Sequence, residues 1–206
     1  MAVELSEQFG NIDIYLFVQL LRGRIRPGMR ILDAGCGDGR NLVYLLRTST
    51  EAGYEVFGID AHPRAIAAVR KLAASLAPQI SAENFRVERV EQLSLPDDSI
   101  DFVISSAVLH FAASDQEFEA MLNAMWRVLR VGGLLFCRLA SSIGVESQIR
   151  KIAGRRFLLP DGSERYLVDE SQLTEAATRL GATLADPLKT TVVQDLRAMT
   201  TWVLRK

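Results

Sequence analysis

Ile31-Leu32-Asp33-Ala34-Gly35-Cys36-Gly37-Asp38-Gly39 is the stretch on which the fold turns. The run from Met29 to Ala34 reads as a buried strand. The three glycines after it let the main chain bend sharply and let a ligand touch the backbone. Leu42, Val43, Leu45 and Leu46 then recur at helical spacing. Strand, glycine loop and helix together place a nucleotide-type cofactor at the carboxyl edge of a sheet. N–H groups at the helix start favour an anionic group such as a carboxylate. Taken alone, the glycine trio also allows a tight turn with no ligand.

The next strand, Glu55 to Asp60, adds the missing context. Asp60 ends it about 20 residues beyond the loop, where a carboxylate accepts from both hydroxyls of a ribose. The same residue also suits a helix N-cap before Pro63. Two cofactor classes compete for this layout. A dinucleotide wants a third glycine where the chain has Arg40, and its pyrophosphate would meet the like charge of Asp33. A cofactor carrying an ammonium and a sulfonium has the opposite need. The charges therefore favour S-adenosylmethionine (SAM), with an NAD(P)-binding oxidoreductase as the alternative.

The alternation continues outward. Ile12 to Arg22 is an amphipathic helix, and residues 1–26 form an N-terminal cap. Ala65 to Leu76 is a helix, Phe85 to Val90 and Asp101 to Ser106 are strands, and Asp115 to Leu129 is a helix ended by Val131-Gly132-Gly133. Leu134 to Leu139 follows as a strand. Such alternation implies a parallel sheet covered on both faces, with right-handed crossovers. Ser171 to Leu180 is a further helix, and Lys189–Val193 and Met199–Leu204 form a closing antiparallel hairpin. The 206 residues fit one domain spanning 1–206.

Charge and composition narrow the partners. A net charge of -1 offers no broad basic field for nucleic acid. No apolar run is long enough to span a membrane. Two cysteines far apart, Cys36 and Cys137, suit a reducing compartment, so the expected location is cytoplasmic. Two histidines and no cysteine–histidine cluster predict no metal site. A monomer or homodimer acting on a small-molecule substrate fits these bounds.

ILDAGCGDGRN at 31–41, VFGID at 56–60, LSLPDDSIDFVISSAVLHF at 93–111 and LRVGGLLFCRLAS at 129–141 occur in an order that resembles the class I SAM-dependent methyltransferases. The resemblance is to the small single-domain ones of the ubiquinone/menaquinone and tellurite-resistance type, and it covers residues 29–141 well. It implies a Rossmann-like, doubly wound α/β fold, with a seven-stranded, mostly parallel sheet whose last strand is antiparallel. By the same analogy Asp33, Gly35 and Gly37, with Ala34 and Cys36 between them, line the methionine end of SAM, and Asp60 holds the ribose. Ala61 and His62 lie beside the adenine, Val90 and Glu91 border its other edge, and Ser106 and Ala107 pass near the methionine amine. One departure stands out. Arg89 occupies the position where these enzymes often carry an acidic residue that accepts from the adenine amino group, and arginine only donates. Glu91 or the backbone at Val90 must then serve.

Methyl transfer needs an aligned nucleophile, exclusion of water and, for a weakly acidic acceptor, a base. His110, just after the fourth strand, has a suitable ordinary pKa for that base. The favoured alternative is a histidine packed on Phe111 with its nitrogens satisfied by backbone. Residues 142–170 follow the fifth strand and are expected to form a substrate lid. There Arg150, Lys151, Arg155 and Arg156 form either a pocket for a carboxylate or phosphate, or a solvated helix face followed by a surface hairpin. Arg165 and Tyr166 are candidate substrate contacts in this lid. Tyr15 in the cap is a third, or it packs on the sheet. A SAM-binding module without catalysis has the same sequence features.

Overall fold

In the computed structural model, which describes residues 4–206, the run from Arg30 lies at the middle of the main sheet. In chain order the elements are α1 (Leu5–Phe9), α2 (Ile14–Leu21), β1 (Arg30–Ala34), α3 (Val43–Arg47), α4 (Ser49–Ala52), β2 (Glu55–Asp60), α5 (Pro63–Leu76), β3 (Phe85–Val87), β4 (Ile100–Ser106) and α6 (Asp115–Val128). They continue with β5 (Leu129–Ser141), β6 (Arg150–Ala153), β7 (Arg156–Leu158), β8 (Glu164–Tyr166), α7 (Glu170–Arg179), β9 (Thr183–Leu184), β10 (Lys189–Val193) and β11 (Arg197–Arg205).

The main sheet runs β10-β11-β5-β4-β1-β2-β3, with the two-residue β9 added alongside β11. Strands β1 to β5 pair in parallel, whereas β11 is antiparallel to both β5 and β10. This is the seven-stranded, mostly parallel arrangement expected, extended by one short strand. Strand order reverses at β1, which pairs β2 on one side and β4 on the other. Ligands bind in the crevice outside the strand ends at such a switch point.

Continuous apolar runs follow from burial on both faces. Leu32, Val103 and Leu135 pack with α6 and α7, and Ile31, Ile104 and Phe136 pack with α2, α3 and α5. Helix α6 buries Phe118, Leu122 and Met125 on one face, and α5 buries Ile66, Val69 and Ala73. Side chains start the helices: Asp13 caps α2, Ser114 caps α6 and Asp169 caps α7, each accepting from a first-turn N–H.

Three sequence expectations change. Strand β3 ends at Val87, because Val90–Gln92 winds into a 3₁₀ turn at the sheet's edge. Gly132 and Gly133 lie inside β5, which begins at Leu129, so they do not stop a helix. A side chain at Gly133 would collide with the carbonyls of Arg130 and Asp101, where the β4–β5 register shifts, so the glycine serves a bulge. The basic segment after β5 forms no helix. It folds as an antiparallel sheet, β6-β7-β8, anchored through Leu159 and Leu167 on Ala140.

Candidate active site

The carboxyl ends of β1, β2 and β4 open onto a cavity of about 360 Å³. Seven of the twelve expected cofactor residues line it: Gly35, Asp60, Ala61, His62, Val90, Glu91 and Ala107. Asp33, Ala34, Cys36, Gly37 and Ser106 lie behind that lining or beside it.

The glycine loop is built by the end of β2. The N–H groups of Gly35 and Cys36 both donate to the Ile59 carbonyl, at 2.8 and 2.9 Å. Gly37 N–H donates to Asp60 Oδ2 at 3.0 Å, and Asp60 Oδ1 accepts from His62 N–H at 2.9 Å. Gly35 holds φ +89°, and a Cβ there would run into Val108, so only glycine fits. The expected anion-binding helix start is therefore largely absent: these loop amides are spent within the protein, and α3 is only five residues long.

What the loop offers is negative charge. A carboxylate has about four lone-pair sites. Two internal bonds leave Asp60 able to accept from a ligand's hydroxyls. Asp33 is wholly enclosed, and neither of its oxygens receives a hydrogen bond. Burial pushes its carboxyl up to about 7, with Arg40 opposing and Asp60 reinforcing the shift. A buried acceptor pair without a donor is costly unless a partner arrives. An ammonium beside Asp33 and ribose hydroxyls beside Asp60 match this set of acceptors, so the residues present fit SAM.

Charge also closes the far end. Arg89 donates to Glu91, and to Glu117 Oε1 at 2.6 Å, while Glu117 Oε2 accepts from Ala113 N–H at 2.7 Å. All three charged residues line the cavity, as do Val108, Phe111 and Met121. Sequence reading missed Glu117 and Met121. Their spacing of one helical turn on α6 was visible, but not which face met the cavity. Ala107 sits at φ +64°, a left-handed backbone unusual for alanine and found where binding sites store strain.

Ser106 belongs to a polar cluster flanking the loop. Its hydroxyl donates to Asp13 Oδ2 at 3.0 Å and accepts from Arg40 at 3.2 Å. The Asp13 side chain is fully buried and also receives Arg138 Nη1 at 3.1 Å and the Tyr15 N–H at 2.9 Å. Arg40, which breaks the dinucleotide pattern, thus ties the loop to β4. The Tyr15 ring lies 5.2 Å from the Arg138 guanidinium and 5.6 Å from the Lys189 ammonium, and its hydroxyl meets Thr191 at 2.5 Å. It faces a separate cavity between α2 and β10.

His110 is buried, and its Nδ1 accepts from the Ala140 N–H at 3.2 Å. Burial, followed by the charges of Arg165 and Arg138, pushes its pKa down to about 4. A neutral imidazole that accepts at Nδ1 carries its proton on Nε2. In this arrangement Nδ1 is occupied by the Ala140 N–H and Nε2 already carries a proton, so neither nitrogen is free to take one from an acceptor. Tyr166 is buried in the core: it stacks on Phe118, donates to Asp115 at 2.8 Å and accepts from Gln172 at 2.5 Å. It joins β8 to α6 away from the cavity. Arg165 does not itself line the cavity, but its guanidinium lies 4.9 Å over the ring of Phe111, which does. Arg155 and Arg156 of the basic cluster are paired with Asp169 and Glu164.

A family described as a methyltransferase domain matches residues 32–137. The malonyl-[acyl-carrier protein] O-methyltransferase of Serratia marcescens is 33% identical over 120 residues, covering 58% of this chain and 42% of the relative. The tRNA N(3)-methylcytidine methyltransferase of Drosophila melanogaster is 28% identical over 167 residues, covering 73% of this chain and 48% of that relative. The chain thus spans about half or less of these relatives. A SAM-dependent methyltransferase structure from Methanosarcina mazei superimposes with a TM-score of 0.72 at 22% identity, covering 91% of this chain and 96% of the other, a likeness of fold.

Proposed function

The chain belongs to the methyltransferase-domain family, whose cofactor is SAM, and from that premise we propose that it transfers a methyl group to a small-molecule acceptor. The observation that carries this reading is the cavity over β1, β2 and β4, with Asp60 on its wall and the partnerless Asp33 behind its loop. The family match leaves the dinucleotide alternative without support. One named relative acts on tRNA. The net charge of -1 favours a small acceptor here.

When bound, SAM supplies a methyl carbon already activated by the sulfonium. The protein binds, orients and excludes water. Asp60 accepts from the ribose hydroxyls, Ala61 and His62 flank the base, and Val90 and Glu91 border its other edge, with Arg89 holding Glu91 in place. Gly35, Gly37 and Ala107 bring backbone close to the methionine end, and Ser106 and the core-packed Ala34 and Cys36 hold that backbone. His110 serves as a fixed donor, so the acceptor's proton leaves by another route. Kinetics check this: the kcat profile is expected to show no limb from His110 between pH 5 and 8, and His110→Asn is expected to keep the same profile. A limb that disappears in that variant makes His110 the base.

Asp33 links binding to protons. With its carboxyl pushed up to about 7, Asp33 exchanges its proton near neutral pH. Asp33 gives up that proton on meeting an ammonium. Affinity for S-adenosylhomocysteine is therefore expected to fall by up to about tenfold per pH unit below 7. Calorimetry in buffers of different ionisation heat should detect the released proton, and Asp33→Asn should abolish it. Stability of the free protein moves the opposite way with pH. A raised folded pKa contributes stability below the unfolded value of 3.8, and that contribution is lost as pH rises through 7.

The direct test incubates the protein with methyl-labelled SAM and a metabolite extract, followed by mass spectrometry. A labelled small molecule supports the proposal. SAM binding with no labelled product indicates a binding module, and label only in RNA points to a nucleic-acid acceptor.

A further inference from the structure

Outside the cofactor cavity, the lid carries three cations with no carboxylate in salt-bridge reach among the described residues, Arg150, Lys151 and Arg165, of which Arg165 lies over a residue of the cavity wall. Of its arginines, Arg155 and Arg156 are neutralised by carboxylates, but Arg165 has none within salt-bridge reach among the described residues. Asp161 senses its charge without touching it. The single hydrogen bond of Arg165 is from Nη1 to the Glu164 carbonyl at 2.7 Å, so most of its five donors stay open. Its guanidinium lies over the ring of Phe111, which is 63% exposed and forms part of the cavity wall. The same ring packs 4.6 Å from His110, whose Nε2 carries a proton. Arg138, the other cation whose charge reaches His110, is already compensated by Asp13, although its Nε is buried without a partner.

We propose that Arg165, with Phe111 as an apolar wall and His110 Nε2–H beside it, receives a carboxylate of the methyl acceptor. This rests on the methyltransferase reading above and names its substrate class. The guanidinium fork matches a planar carboxylate in two parallel hydrogen bonds. The one guanidinium over the Phe111 ring balances one negative charge there, which favours a monoanionic carboxylate over a phosphate dianion. A buried imidazole held neutral adds a donor without a second charge.

Benzoate and benzamide share a shape and differ in charge, and inorganic phosphate is the third probe. Binding of S-adenosylhomocysteine is first established by calorimetry, and the three probes are then titrated into the saturated protein by ligand-observed NMR. Benzoate is expected to bind at least about tenfold more tightly than benzamide or phosphate. Arg165→Met should reduce benzoate to the benzamide level with unchanged S-adenosylhomocysteine affinity, whereas Arg156→Met should change neither. Equal binding of benzoate and benzamide, or benzoate binding indifferent to Arg165→Met, overturns the proposal. A preference for phosphate overturns the carboxylate assignment. Failure to bind S-adenosylhomocysteine overturns the cofactor reading instead, and the benzoate–benzamide contrast on the free protein then still decides on Arg165.

Discussion

Replacing Asp60 with alanine is expected to weaken S-adenosylhomocysteine binding by roughly 1.5–3 kcal/mol, the range for hydrogen bonds to a charged group. That is about ten- to a hundredfold in Kd. The loss has two sources. The ribose hydroxyls lose their acceptor, and the N–H groups of Gly37 and His62 lose the carboxylate that holds the loop against β2. Asp60→Asn separates them, since its amide oxygen still accepts one loop N–H while one oxygen and the charge are lost. Calorimetry on both variants, with circular dichroism to check the fold, decides the matter. Wild-type affinity in the alanine variant removes Asp60 from the cofactor site.

Asp13→Ala is expected to cost about 3 kcal/mol of stability, the lower end of the range for breaking a buried ion pair. The lower end applies because the Arg138 side chain is 24% exposed and regains some water, whereas the Asp13 side chain has no exposure. Ser106 Oγ and the Tyr15 N–H lose their acceptor in the same step. For a chain of this length the loss corresponds to a Tm lower by about 6–12 °C. Adding Arg138→Met should recover part of it, because the unpaired charge then leaves with its partner. A melting temperature within a degree or so of wild type would show that the cap is held by packing alone.

The parts of this fold legible in the sequence are those set by local chemistry. The strand and loop at 31–39, Asp60 at the end of β2, and the closing hairpin each follow from spacing within a few residues. Asp13 illustrates the opposite case. Its partner Arg138 lies 125 residues away, and no periodicity links a helix cap to the end of β5. The role of His110 was undecidable for a similar reason, since its tautomer is fixed by an N–H on another strand. Tyr166 has a side chain equally suited to a pocket or a core, and only the packing of Phe118 against it settles where it lies. Gly132-Gly133 resembled a helix stop because a bulge needs the same residue. The basic cluster at 150–156 was visible as charge, but the carboxylates that neutralise two of its members come from residues 164 and 169.

The two ends of the cavity are held by different forces. Steric fit around Gly35 and Val108 is indifferent to salt. The wall made by Arg89, Glu91 and Glu117 is partly open to solvent and held by ion pairs. Counterions screen such pairs over about 8 Å at physiological ionic strength, and over shorter distances as salt rises. On the proposed cofactor placement, the end that borders the base therefore weakens first as salt rises, while the buried charge of Asp33 at the loop end is screened much less.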